Sequence, residues 1–128
     1  MVERFKMIRT AMISDLEAVT ALERRCFPEA EAAGKAAFTL RLQNFPQTFW
    51  LLEDAGKLIA MVNGMTTNAA DLCDEMYTGT KYYAADGKWL MLFGVATAPD
   101  KQHQGYASEL LEHIIETAPR QLLHGIVL

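Results

Sequence analysis

The stretch APDKQHQGYASELL, residues 98–111, sets a polar turn with one glycine between an apolar run and a regular amphipathic segment. Its two flanks decide the fold. Upstream, Trp89 to Thr97 is apolar on both faces, which predicts a strand in the middle of a sheet. Downstream, Ala107, Leu110, Leu111, Ile114, Ile115 and Ala118 recur at helical spacing. Glu109, Glu112 and Glu116 lie opposite them, and Pro119 ends the run. A strand, a tight turn and a helix are therefore expected in that order.

A helix starting at such a turn leaves backbone N–H groups without partners and carries about half a positive charge. Phosphate oxygens satisfy both, and glycine lets the backbone approach them with no Cβ in the way. Gln102, His103, Gln104, Gly105, Tyr106 and Ala107 supply the amides, while Lys101 and His103 add positive charge within reach. The same residues also fit a polar turn that only caps a helix. Two other phosphate loops do not fit. No Gly-Lys-Ser/Thr follows, and the first glycine of the GxGxxG fingerprint is missing.

Working outward, the 128 residues suffice for one domain, 1–128, with no linker or repeat. No apolar run reaches the roughly 20 residues that cross a bilayer, and the first ten residues lack a secretory pattern. Cys26 and Cys73 form no CxxC and have no histidine pair nearby, which argues against a disulfide or zinc framework and for a reducing cytoplasm. A formal charge of −4 argues against a non-specific nucleic-acid binder.

The periodicity predicts a strand over Phe5–Arg9 and a helix over Ser14–Cys26, with Ser14 and Glu17 as a capping box. Pro28 closes that helix. A second helix is expected over Glu29–Asn44, with Phe38, Leu42 and Phe45 on one face and Pro46 as its stop. Residues 48–53 and 57–64 flank Asp54-Ala55-Gly56 as a hairpin. From Met65 to Gly87 the pattern reads as a long loop with one helical turn, carrying Asp71, Asp74, Glu75 and three tyrosines. Residues 122–128 read as the beginning of a strand, and the chain stops while that strand is still apolar.

The stretch VATAPDKQHQGYA, residues 95–107, resembles motif A of the GNAT superfamily of acyl-CoA-dependent N-acyltransferases. CFPEAEAA (26–33) and DEMY (74–77) look most like the bacterial relatives of the arylalkylamine (serotonin) N-acetyltransferases. The resemblance implies an α/β (α+β) fold: a mixed, mostly antiparallel central sheet with flanking helices. On that pattern the chain is truncated after the start of its fifth strand and lacks a C-terminal helix and strands. It also implies acetyl-CoA as co-substrate. Val95, Ala96 and Thr97 would pair with the pantetheine arm like an added strand, and Gln102, His103, Gln104, Gly105, Tyr106 and Ala107 would wrap the diphosphate. Phe27, Pro28, Glu29 and Ala30 would line the amine pocket.

Acyl transfer needs a neutral amine. With a lysine-like pKa near 10.4, only about one molecule in 2,500 is neutral at pH 7, a deficit of roughly 4–5 kcal/mol. Relatives often place a Glu or His on the strand before motif A, but those positions hold Met91 and Phe93. Asp71, Asp74, Glu75 and Asp86 could act through water, and no spacing singles one out. The family's usual tyrosine acid would lie beyond Leu128; Tyr82, Tyr83 and Tyr106 are poor substitutes by position, and His124 falls in an apolar strand, which favours a packed or edge histidine over a catalyst. No catalytic residue is assigned.

The expected function is acetyl transfer from acetyl-CoA to the primary amine of a small molecule. A homodimer completing the sheet by exchange is expected as one way to satisfy the cut strand. The alternatives are a non-catalytic coenzyme A-binding or interaction module, an inactive fragment of such an enzyme, or a plain α/β domain. No metal, nucleic-acid or membrane partner is expected.

Overall fold

The computed structural model describes residues 6–29, 33–69, 71, 73–122 and 124–128. Nine elements follow in order: β1 (Lys6–Thr10), α1 (Leu16–Cys26), α2 (Lys35–Asn44), β2 (Phe49–Asp54), β3 (Lys57–Thr67), α3 (Asp74–Thr78), β4 (Trp89–Thr97), α4 (Tyr106–Glu116) and β5 (Gly125–Val127). They form one five-stranded sheet in the order β1-β2-β3-β4-β5. Every neighbouring pair is antiparallel except β4 and β5, which run parallel. The fold is thus mixed, mostly antiparallel α/β with flanking helices, as expected.

Alternation along the strands divides the apolar side chains between the two faces of the sheet. Leu51, Met61 and Ala96 pack with Val19 and Leu22 of α1 and with Phe38 and Leu42 of α2. Leu52, Val62, Leu90 and Leu92 pack with Leu110 and Ile114 of α4 on the other face. A smaller cluster of Phe45, Met65, Met76 and Met91 fixes α3 against the sheet. Both faces are therefore covered, which is why β4 reads as a continuous apolar run.

The hairpin between β2 and β3 turns on Ala55 and Gly56, both at positive φ (52° and 78°). This matches the twist of the flanking strands. Three local expectations need correction. α2 begins at Lys35 rather than Glu29, with Gly34 extended at its N-cap (φ −80°, ψ 164°); residues 30–32 lie outside the described set. The Ser14/Glu17 capping box does not form. Ser14 lies in a 3-10 turn, Ile13–Asp15, where the Asp15 carboxylate accepts the Met12 N–H at 2.8 Å, and Glu17 instead accepts from Lys35. β3 continues past Gly64 to Thr67, because the hydroxyls of Thr66 and Thr67 find partners at the Ala84 carbonyl and the Ala69 N–H.

Gly64 is a close approach, not a stop. A Cβ there would sit 2.0 Å from the Met91 carbonyl oxygen. At this point Asn63 faces Gly94 while Gly64 faces Leu92, so Phe93 is an extra residue bulged out of β4. β5 pairs only with Trp89, Leu90 and Met91. Beyond the bulge, β4 has β3 on one side and no described strand on the other.

Candidate functional site

One cleft gathers most of the residues that the sequence singles out. It has a volume of about 410 Å3 and runs from Val95, Ala96 and Thr97 on the open edge of β4 to the turn before α4. Gln102, His103, Gly105, Tyr106 and Ala107 line it with Lys101, and Cys26 and Phe27 form the facing wall. Gln104 stands apart. Its side-chain amide reaches back to the Asp100 carbonyl at 3.5 Å, in solvent.

α4 starts on Gly105, whose backbone is left-handed (φ 87°, ψ 6°). The first helical bond runs from the Glu109 N–H to the Gly105 carbonyl at 2.9 Å. The amides of Tyr106, Ala107 and Ser108 therefore have no partner within the helix, and no side chain caps them. A Cβ built on Gly105 meets nothing within 4 Å, so glycine is required by φ while the space before the amides stays open. His103 is also left-handed, at φ 64°, a conformation costing about 1 kcal/mol in a residue with a side chain. Unmatched donors, an open approach and a nearby lysine are what a phosphate group requires.

The edge of β4 has its own directionality. The Ala98 N–H bonds the Ile59 carbonyl of β3 at 2.8 Å, so the Thr97 carbonyl must point away from β3. Alternation then places the Val95 N–H and C=O and the Thr97 N–H on the open side. The Thr97 carbonyl is already engaged: the Cys26 thiol and the Gln102 side-chain amide each donate to it at 3.2 Å. Arg25 reaches Asp100 at 3.2 Å, a second tie between α1 and the turn.

Two further cavities lie on the α1–α2 side of Phe27. Phe27 also lines one of about 460 Å3 with Arg24, Glu29, Ala33 and Gly34. Ala33 and Gly34 in turn line another, of about 340 Å3, with Glu23, Arg41, Tyr77 and Phe93. Of the expected amine-pocket residues, Phe27 and Glu29 face these cavities, Pro28 is exposed, and Ala30 lies outside the described residues.

Glu23 and Arg41 have no place in the sequence-based site. Glu23 is 8% exposed and accepts the Ala33 N–H at 2.7 Å; burial pushes its carboxyl above the usual range. Arg41 is 3% exposed, and burial pulls its guanidinium down to about 10. Both stand at helical spacing from apolar neighbours, Glu23 after Val19 and Arg41 after Phe38. A charge at a core position was the available signal. By contrast Asp71, Asp74, Glu75 and Asp86 are all exposed.

Met91 is fully buried, and Phe93 packs on Tyr77 with ring centroids 5.0 Å apart and the planes tilted by 43°. Tyr83 stacks on Phe45 and accepts from Gln47, and His124 stacks on Trp89 at 5.4 Å. Cys26 and Cys73 are free thiols, and burial raises the Cys26 pKa. Among the described residues no cluster of three His, Cys, Asp or Glu could hold a metal ion, and no helix is long and apolar enough to cross a membrane.

Residues 16–128 match the Acetyltransferase (GNAT) family. The loading GNATL domain of CurA from Lyngbya majuscula superposes with a TM-score of 0.78 at 22% identity, covering 88% of this chain and 57% of that one. The GNAT-like decarboxylase GphF, in complex with isobutyryl-CoA, gives 0.77 at 26% identity, with 86% and 57% covered. The ribosomal-protein-S18-alanine N-acetyltransferase from Escherichia coli gives 0.61 at 24% identity, with 88% and 58% covered. The chain thus spans between 57% and 58% of the length of these three proteins. No curated protein matches it by sequence.

Proposed function

The chain belongs to the acetyltransferase (GNAT) family, and on that premise we propose that it transfers an acetyl group from acetyl-CoA to the primary amine of a small molecule. The observation that carries this reading is the cleft, where an uncapped helix start and an open strand edge face one space. The amides of Tyr106, Ala107 and Ser108 would hold the diphosphate, with Lys101 and His103 beside it. The Val95 and Thr97 backbone would hold the pantetheine arm. When bound, the coenzyme supplies an acyl thioester.

The chain supplies position, a donor and a base. The Val95 N–H, on the open side of β4, is aimed where negative charge grows on the carbonyl oxygen. The amine must lose a proton, which Met91 and Phe93 cannot accept. We assign that role to Glu23, the buried carboxylate of the cavity beyond Phe27, acting through water; its raised pKa makes it the stronger base. The arylalkylamine likeness adds Phe27 and Glu29 as walls of the amine pocket.

Calorimetry with acetyl-CoA tests the first half: binding in the micromolar range is expected, and none at high micromolar concentration ends the coenzyme reading. A thiol-release assay over arylalkylamines, polyamines and aminoglycosides tests the second. Binding without release across that panel would mark a coenzyme-binding module instead of an enzyme.

A further inference from the structure

Arg41 is a buried cation with no contact ion pair; the Glu23 carboxylate of the same cavity acts on it only through space. No carboxylate lies within salt-bridge distance of it among the described residues. Its two terminal nitrogens donate to neutral acceptors, the Asn63 side-chain oxygen at 2.9 Å and the Tyr77 carbonyl at 3.1 Å. Nε is buried with no partner at all. The guanidinium carbon lies 4.9 Å from the Phe93 ring centroid and 5.6 Å from that of Phe38, so its faces meet aromatic surface rather than water. Charges this deep are ordinarily paired, because a buried cation with donors to spare is costly.

The surroundings say what would pair it. Arg41 lines the cavity of about 340 Å3, a size that accommodates a small metabolite. The ten-residue helix α2 begins at the same cavity, through Gly34 and Ala37, and no side chain caps its first amides. Both features favour an anion, and a guanidinium fork matches a carboxylate in particular. Glu23 lines the cavity as well, so it holds one group of each sign, the charge pattern of a zwitterion. Phe93 sits on β4 two residues before Val95, about 7 Å along the strand from the cleft.

We propose that this cavity binds the carboxylate of a reactant through Arg41, and that the carrier is the acceptor, an amino carboxylate whose ammonium faces Glu23. The proposal rests on the acyl-transfer reading above and narrows its substrate from amines in general to amines bearing a carboxylate.

Matched pairs test it on the unaltered chain. Thiol release from acetyl-CoA is measured with α- and ω-amino acids and with the corresponding amines lacking the carboxyl group. The carboxylated member should win by at least tenfold in kcat/KM and should raise Tm where its partner does not. In Arg41→Met that ratio should collapse toward one, and in Arg41→Lys it should fall partway. Equal or better use of the plain amines by the unaltered chain overturns the proposal while leaving the transferase reading intact.

A preference that survives in Arg41→Met also overturns it and leaves Arg41 a structural hydrogen-bonder. If malonyl-CoA binds more tightly than acetyl-CoA in an Arg41-dependent way, and amino acids raise no Tm, the carboxylate belongs to the acyl group and the acceptor assignment falls. If no amine of either kind is turned over and neither amino acids nor malonyl-CoA shift Tm, both readings fail together.

Discussion

The two ends of β4 are continuous in sequence and opposite in character. From Trp89 to Met91 the strand is held on both sides, by β3 and by β5, and Leu90 and Met91 are wholly buried. From Gly94 to Thr97 no described strand lies on one side, where Cys26 and Gln102 meet the Thr97 carbonyl instead, and the residues are mostly half-buried. The bulge at Phe93 separates them. The closed end stabilises the molecule by filling space, whereas the open end leaves the Val95 backbone groups and the Thr97 N–H without a described strand partner. The same local propensity serves both, and the neighbours decide which.

Substitutions at the two ends should therefore fail differently. The largest effect is expected from Gly64→Ala at the closed end, where the new methyl would meet the Met91 carbonyl at 2.0 Å. Backbone on both sides cannot yield cheaply. A loss of about 3 kcal/mol or more is expected, read as a fall of roughly 10 °C or more in Tm. A fall of only a degree or two would show that the closed end is not tight.

Gly105→Glu probes the open end. It places a carboxylate before the amides of α4, in a backbone at φ 87°, with no protein atom within 4 Å of the new Cβ. Coenzyme affinity should drop by at least about 100-fold in calorimetry, with a stability cost of only about 1–2 kcal/mol from the left-handed backbone. Unchanged affinity would remove the distinction between the ends.

Asp15→Asn lies outside both. Asp15 accepts two hydrogen bonds from Arg9, each 2.8 Å, and that guanidinium holds its carboxyl below the usual range. A carboxylate lowered in the folded state contributes stability above its ordinary pKa and loses it as pH falls through the folded value. The variant should lose about 1 kcal/mol at pH 7, less in acid, with coenzyme affinity unchanged.

Glu23→Gln should give the smallest stability change and the opposite slope. Burial raises the Glu23 carboxyl, so its favourable contribution is complete below the ordinary carboxylate pKa and disappears as pH rises through the folded value. Relative to the Gln variant, the unaltered chain should weaken by up to about 1 kcal/mol between pH 4 and 7 in parallel melts. No pH dependence in that difference would mean that Glu23 is better solvated than its 8% exposure indicates.

How much of this was legible in the sequence depends on how local each signal is. β4, the turn and α4 were readable because strand, glycine and helical period lie within thirty residues of one another. The β3 extension is not legible locally, because Thr66 and Thr67 are polar residues whose hydroxyls are occupied only in the fold, by the Ala84 carbonyl and the Ala69 N–H. The start of α2 falls later than the pattern predicts: Gly34, which weakens a helix over 29–44, is where the helix is capped. Glu23 and Arg41 are not legible as site residues because charge type suggests solvent. Their burial arises only when α1, α2 and the bulged strand converge.

The doubly engaged Thr97 carbonyl has a mechanical consequence. Cys26 belongs to α1 and Gln102 to the turn, and both are fastened to one oxygen atom. Neither element can slide along the strand without releasing that shared anchor. Displacement of α1 is thereby coupled to the turn that leads into α4, and the two walls of the cleft are tied together at one atom.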